Sequence, residues 1–521
     1  MKVLLLFVAL TASIALRAES SKILMLPYGM YSHINLHTKL GQALVKDGHE
    51  VWMLGFDIYE DAMKKRGLIP LTFPVKPEDD LWTKFDEWTE ESPTGEGVVE
   101  KMFSDKWWVM SHSRICDQIM QNDTITATIS EQKFDLVIHD GVDEVLCHLM
   151  IPYRFDIPFV TVHGFQVTSW VSGVTGMPSI EPEVGLGFSN RMDFWQRLEN
   201  LKSWLQHVDS FYYELYNDHH MNSYCPTDKP KIPLKKVAES AEMFLMNYEV
   251  MCMDYPRVSA PNMQYLGASS ATSAKPLPTD LEEYVAGAKH GVVLMSLGSL
   301  KGSQFVWKII GEKIFEAFGR LKQRVIVQYR LDEVYGKVPG NVKLMKWLPQ
   351  NDILGHKNMK LFVMHGGNNG QNEAVYHGVP MLVIPIFFDQ IYNGKRVEVH
   401  NYGKFVKDKE AVSSSELYEI MSEIINNQTY SKNIKKCSAI IRSLPSAQEK
   451  FVFWVNHVLK FGGTHLRPPS LDMPLYEVLM LDIVAYYVIY YLVIVHVAVW
   501  VLYFAVKYFL RYLKNLKAKK E

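Results

Sequence analysis

The sequence predicts an α/β protein of two successive doubly wound domains that face a cleft, followed by one C-terminal transmembrane helix. Three observations carry that prediction. Short apolar runs rich in Val, Ile, Leu and Met alternate with segments of helical spacing, in two series separated by an Ala/Ser/Thr/Pro-rich stretch. Such alternation argues for parallel sheets wrapped by helices. A chain of 521 residues is also too long for one ordinary core. Finally, Ile483–Val506 holds no Asp, Glu, Lys or Arg, and at ~1.5 Å rise per residue it spans a ~30 Å hydrocarbon layer.

In chain order, residues 1–18 read as a secretory signal, with Lys2 before an apolar run and small residues before Glu19. Residues 19–267 form the first domain. Its strand KILMLPYG (Lys22–Gly29) leads into helical spacing through Leu36, Leu40 and Leu44, stopped at Gly48. Further strands are expected at Glu50–Phe56, Phe134–Asp140, Phe155–Gly164 and Glu242–Tyr248. Residues 268–284 are the linker. The second domain, 285–445, has strands at Gly291–Ser299, Arg324–Tyr329, Asn341–Trp347, Leu361–His365 and Met381–Phe387. Residues 446–482 form a helix and a pre-membrane segment, 483–506 the span, and 507–521 a basic tail.

Charge is nearly balanced, with 55 Lys and Arg against 57 Asp and Glu, so nothing electrostatic favours nucleic acid as a partner. The five cysteines are scattered; the expectation is small buried hydrophobes with at most one bridge. No D-x-D triplet and no His/Cys metal spacing occur, so no metal site is expected. Lys507, Arg511, Lys514, Lys517, Lys519 and Lys520 follow the span and mark the cytoplasmic side, which makes the chain a single-pass type I protein with a lumenal body. The tail Lys517-Ala-Lys519-Lys-Glu521 resembles a K-x-K-x-x endoplasmic reticulum retrieval signal, and the sequons at Asn122 and Asn427 are compatible with a lumenal body.

The stretch Trp347–Gln390 carries the chemistry. A strand ends at His365, a turn with Gly366, Gly367 and Gly370 opens a helix, and a second strand runs into Asp389–Gln390. A glycine turn lets backbone N–H groups approach a phosphate at a helix N-terminus, outside the carboxyl end of the strand. The residues alone thus give a phosphate site flanked by His365, Asn369 and Glu373.

The elements W-x-P-Q (Trp347–Gln350), H-G-G-x-N-G (His365–Gly370), E-A-x-x-H-G-x-P (Glu373–Pro380) and D-Q (Asp389–Gln390) resemble the signature of UDP-glycosyltransferases, the membrane-bound UDP-glucuronosyltransferases in particular. Met177–Asn200 and Trp454–Arg467 are also similar to family stretches. The resemblance implies the GT-B architecture of two Rossmann-like domains. It implies His33 as the base that deprotonates an acceptor hydroxyl and Asp140 as its partner; a carboxylate behind an imidazole fixes its tautomer. It further implies that Trp347 stacks on uracil and Gln350 contacts the nucleoside. His365 and the backbone at Gly367–Gly370 would take the diphosphate, Glu373 the ribose, and Asp389 and Gln390 the sugar. Ser299, after its strand, is placed to bind phosphate. His37, His139 and Asp143 compete for the base-and-partner roles on sequence grounds.

The implied activity is metal-independent, inverting transfer from a UDP-sugar co-substrate, without a cofactor, to a hydroxyl of a small lipophilic acceptor. Glucuronic acid is the expected sugar and glucose or galactose the alternative; a catalytically silent lipophile-binding membrane protein is the rival reading. Homo- or hetero-oligomerisation stays open. Asn368, Gln371 and Phe388 depart from the common vertebrate form of the signature. The aromatic segment with Trp82, Phe85, Trp88, Phe103, Trp107 and Trp108 suits an apolar acceptor pocket, a protein core or a membrane surface.

Overall fold

The computed structural model describes residues 20–519 except 77–78, 80–83, 85–86, 89–90, 92–106, 165–167, 177–181, 184–185, 208–216, 299–303 and 387–388. Strands β1 (Lys22–Leu26), β2 (Glu50–Phe56), β3 (Ile69–Phe73), β4 (Leu136–Asp140), β5 (Phe159–His163), β6 (Met243–Met246) and β7 (Met263–Tyr265) form one sheet in the order β3-β2-β1-β4-β5-β6-β7. Strands β8 (Val292–Ser296), β9 (Arg324–Gln328), β10 (Val342–Met345), β11 (Met359–Met364), β12 (Met381–Val383) and β13 (Gly403–Phe405) form a second, ordered β10-β9-β8-β11-β12-β13.

Every pairing is parallel; Leu24, for instance, lies opposite Trp52 on one side and Val137 on the other. Strands of such sheets are covered on both faces, which is why β1, β4 and β8 hold consecutive apolar residues (Ile23–Leu26, Leu136–Ile138, Val292–Met295) rather than alternating ones. The strand order reverses between β1 and β4 and again between β8 and β11. These are the switch points where α/β sheets open a crevice.

The helices that matter for the site are α1 (Tyr31–Asp47), α2 (Trp107–Met120), α3 (Gln304–Gly319), α4 (Asn368–His377), α5 (Gln390–Val399) and α6 (Ala447–Phe461). Gly48 ends α1 at φ +107°, where its N–H caps the carbonyl of Val45 and glycine carries no steric penalty. Helix α6 opens on a reciprocal Ser446/Glu449 capping box and buries Ala447, Phe451, Val455 and Val458 with Ile23, Met25 and Leu40 of the first sheet's layer. The chain therefore returns, after its second sheet, to complete the core of its first.

One finding corrects the sequence-based expectations, and a second decides between them. Four of the five cysteines pair, Cys116 with Cys147 and Cys252 with Cys437, leaving Cys225 free. The second pair is 185 residues apart, a proximity that spacing along the chain cannot reveal. Trp88 belongs to the second sheet's core, buried in the cluster with Val306, Trp307 and Ile310 of α3 rather than in a pocket. Trp82, Phe85 and Phe103, and the side chains of Trp107 and Trp108, lie outside the described residues.

Residues 468–521 form a separate compact unit. Helix α7 (Leu481–Ala518) runs 38 residues and is long and apolar enough to cross a membrane. At ~1.5 Å per residue it is about 57 Å long, so the helix outlasts the span and carries Lys507, Arg511, Lys514 and Lys517 on its final turns.

Candidate active site

His33 lies in the first turn of α1, just after β1, and Asp140 is the last residue of β4. Because β1 and β4 are neighbours, both side chains emerge at the same sheet edge, and His33 Nδ1 lies 2.8 Å from Asp140 Oδ2. The carboxylate is fully buried, while the imidazole keeps 14% exposure. Oδ2 also accepts the Tyr28 N–H at 3.0 Å and lies 3.6 Å from Nδ1 of His37. Burial alone would raise the Asp140 carboxyl, but His33, His37 and the Tyr28 N–H together hold it well below the usual carboxylate range. With Asp140 ionised, Nδ1 of His33 carries the proton and Nε2 is left as the basic nitrogen.

The competing groups are placed differently. His37 is buried, and desolvation lowers its pKa; its Nδ1 lies 3.0 Å from the His33 carbonyl. His139 turns to the carbonyl of Val145 at 3.3 Å, and burial pushes its pKa down to about 4. The side chain of Asp143 lies outside the described residues.

The second sheet supplies the facing wall. His365 follows β11 and packs against glycines: a Cβ on Gly298 would stand 2.6 Å from its Cε1, and one on Gly367 would collide with its ring. Burial lowers its pKa to about 4, so this imidazole is neutral. Gly366, at φ +94°, makes the turn. Gly367 caps α4 without any side-chain acceptor, which leaves the first-turn N–H groups and their positive potential for an anion. Gly370 packs against Met364 and Phe362, where a larger residue would crowd the turn.

Gln350 donates to Glu373 Oε2 at 2.7 Å. Burial pushes the Glu373 carboxyl up to about 7, against the opposing pull of Gln350 and Lys39. Trp347 is 62% exposed and has the Arg330 guanidinium 5.3 Å from its ring centre. Asp389 accepts from Asn393 Nδ2 at 2.6 Å, and burial raises its carboxyl. Gln390 is buried and its Oε1 accepts the Ile386 N–H at 2.7 Å, so part of this side chain serves the loop itself. Ser299 lies outside the described residues.

The two walls touch. Asn369 Nδ2 lies 3.4 Å from the carbonyl of Ser32, the residue before His33, and Asn368 Nδ2 donates to the carbonyl of Gly164 at 2.9 Å. Near His33, a mostly apolar cleft is lined by Tyr28, Met30, Phe56, Tyr59, Phe73 and Ile115. Its polar end holds the Tyr28 hydroxyl 2.8 Å from His112 Nε2. Sequence reasoning missed Tyr28, Gly164, Asn247, Arg330 and Arg396; their only signal was position at strand ends or inside a signature helix. It also missed that Asp117, His219 and His220 place ligand-type atoms within 4.8 Å of one another, since Asp117 lies on α2, far along the chain from the adjacent histidines.

Residues 21–518 match the model of the family described as UDP-glucoronosyl and UDP-glucosyl transferase. The chain belongs to this family. Among similar proteins, UDP-glucuronosyltransferase 2B17 of Rattus norvegicus is 32% identical over 507 residues, 89% of each chain. UDP-glucuronosyltransferase 3A1 of Xenopus laevis is 32% identical over 385 residues, 72% of each. Solved structures with the same GT-B fold include the calicheamicin glycosyltransferase CalG4, at TM-score 0.58 and 13% identity over 85% of this chain and 99% of that one. Another is the glycosyltransferase VinC in complex with dTDP, at 0.55 and 18% over 85% and 100%. This chain is thus a UDP-glycosyltransferase, with a UDP-sugar as donor and an apolar C-terminal helix that fits a single membrane anchor.

Proposed function

We propose that this UDP-glycosyltransferase moves a glucuronosyl group to a hydroxyl of small lipophilic acceptors by one inverting displacement, without a metal ion, in the endoplasmic reticulum lumen. One observation carries the reading: the first turn of α4, with no side-chain cap, reaches the residue before His33 of the His33–Asp140 pair, Asn369 Nδ2 lying 3.4 Å from the Ser32 carbonyl.

In this mechanism the acceptor hydroxyl gives its proton to His33 Nε2 as its oxygen attacks the anomeric carbon from the face opposite UDP. The bond from that carbon to the β-phosphate oxygen breaks. Asp140 stabilises the imidazolium that results. Negative charge growing on the departing diphosphate meets the first-turn N–H groups of α4 and a proton on His365, donors that need no reorganisation. Trp347 offers a face to the base, Glu373 accepts from the ribose, and Asp389 and Gln390 hold sugar hydroxyls. The space beside Tyr28 takes the apolar body of the acceptor.

The relatives named as glucuronosyltransferases support that donor sugar. Two disulfides support an oxidising compartment, and the basic tail after the span supports a lumenal body. The deciding experiment offers membranes containing the protein a panel of UDP-sugars with a phenolic acceptor, with and without EDTA. The expected outcome is an O-glucuronide formed equally in both. Product only from UDP-glucose or UDP-galactose would change the donor, loss in EDTA restored by Mn²⁺ would overturn the metal-free mechanism, and UDP binding without any product would favour a silent lipophile-binding protein.

A further inference from the structure

Asn368 and Gln371, the two departures within the signature turn, share one partner. Arg396 on α5 is 1% exposed, and its Nη2 donates to Gln371 Oε1 at 2.6 Å and to Asn368 Oδ1 at 3.2 Å. Its Nη1 lies 3.7 Å from Asp254 Oδ1. A guanidinium has donors only, so the Asn368 oxygen must face Arg396 and its NH₂ must face the other way. That NH₂ donates to the carbonyls of Gly164, at 2.9 Å, and Asn247, at 3.1 Å, both from the first sheet's loops. Gly164 in turn backs the base: a Cβ there would lie 3.2 Å from His33 Cε1.

We infer that Asn368, oriented by Arg396, is a positioning residue that sets the register between the diphosphate-holding end of α4 and the base His33. The inference rests on the transfer reaction proposed above. Rigid registration matters because displacement requires attacking oxygen, anomeric carbon and leaving oxygen in line, and a misplacement of about 1 Å costs a rate factor on the order of 100. Arg396 touches no reacting atom; it acts through the amide it polarises and fixes. The Gln371 NH₂ donates to the carbonyl of Asn393 at 3.0 Å, so the same guanidinium also ties α4 to α5.

The test compares full-length wild type, Asn368→Ala and Arg396→Lys in membranes, with kcat measured at saturating UDP-sugar and UDP affinity measured by calorimetry. Asn368→Ala keeps the backbone N–H in the first turn of α4, so a lost register lowers kcat far more than it weakens UDP binding. The expected result for Asn368→Ala is a fall in kcat of about 10- to 100-fold with UDP affinity within about threefold of wild type. Arg396→Lys keeps the charge but cannot serve two carbonyls in one plane, so its kcat falls in the same direction by a smaller factor. It also decides the matter should Asn368→Ala not fold. A kcat within about threefold of wild type in the folded variant overturns the inference, as does a loss of UDP affinity that matches the loss of kcat. Wild type without turnover on any UDP-sugar overturns the proposed reaction and this inference together; wild-type turnover with an unaffected variant overturns this inference alone.

Discussion

His33 and Asp140 act as one unit because the buried carboxylate has no solvent to share its charge with, and the imidazole N–H is one of the few donors pointed at it. In the proposed mechanism His33 is the base, so His33→Ala is expected to lower turnover by about 10²–10⁴ with donor affinity unchanged. Asp140→Asn, which lets the imidazole tautomer slip, should fall in the same range; initial rates against UDP-glucuronic acid check both.

Glu373 gives a pH prediction with a defined sign. Its carboxyl titrates at about 7 in the folded chain against 4.5 ordinarily. Between those values the folded state holds a proton that the unfolded state releases. The associated stability is full below the lower value and is lost as pH rises through the upper one. Glu373→Gln should therefore melt above wild type at pH 8 and level with it near pH 5. On the proposed reading Glu373 accepts two ribose hydroxyls in its ionised form, so wild-type affinity for UDP should weaken below pH 7, approaching a factor of about ten per unit. UDP titrations from pH 8 to pH 6 read this directly, and the Gln variant should show no such slope.

Among the elements, α6 shows how far secondary structure can be read and where reading stops. Its periodicity and Ser446–Glu449 start are plain in the chain, and the helix forms where they say. What the periodicity could not say is which core receives its apolar stripe, because Phe451 and Val455 would suit any apolar surface; the first sheet's layer takes them. Phe451 is wholly buried there, so Phe451→Ala should cost about 3–5 kcal/mol, measured by urea unfolding. Trp88 teaches the same lesson in reverse: the aromatic segment was legible, but its destination in the second core was not. The strands β1, β4, β8 and β11 were legible because strands covered on both faces carry consecutive apolar residues, here Ile23–Leu26, Leu136–Ile138, Val292–Met295 and Leu361–Met364.

For the molecule as a whole, the chain divides into a body ending at Arg467 and a unit carrying α7. Full-length protein should remain in the membrane pellet after alkaline carbonate extraction, whereas a chain stopped at Arg467 should be released. An immunoblot of pellet and supernatant distinguishes the two.

The sequence by itself determined the periodic features: two runs of strand and helix, a glycine turn opening a helix after β11, a base candidate after β1, and a span with its basic flank. Each is local, set by hydrophobic alternation, by glycine's freedom at positive φ and by the absence of charge over some two dozen residues. Only the tertiary structure decided the long-range pairings: Cys252 with Cys437, α6 with the first sheet, and Asn368 with both Arg396 and Gly164. Those pairings join residues tens to hundreds of positions apart. The free energy that selects them comes from burying complementary groups together, a quantity that no short window of chain contains.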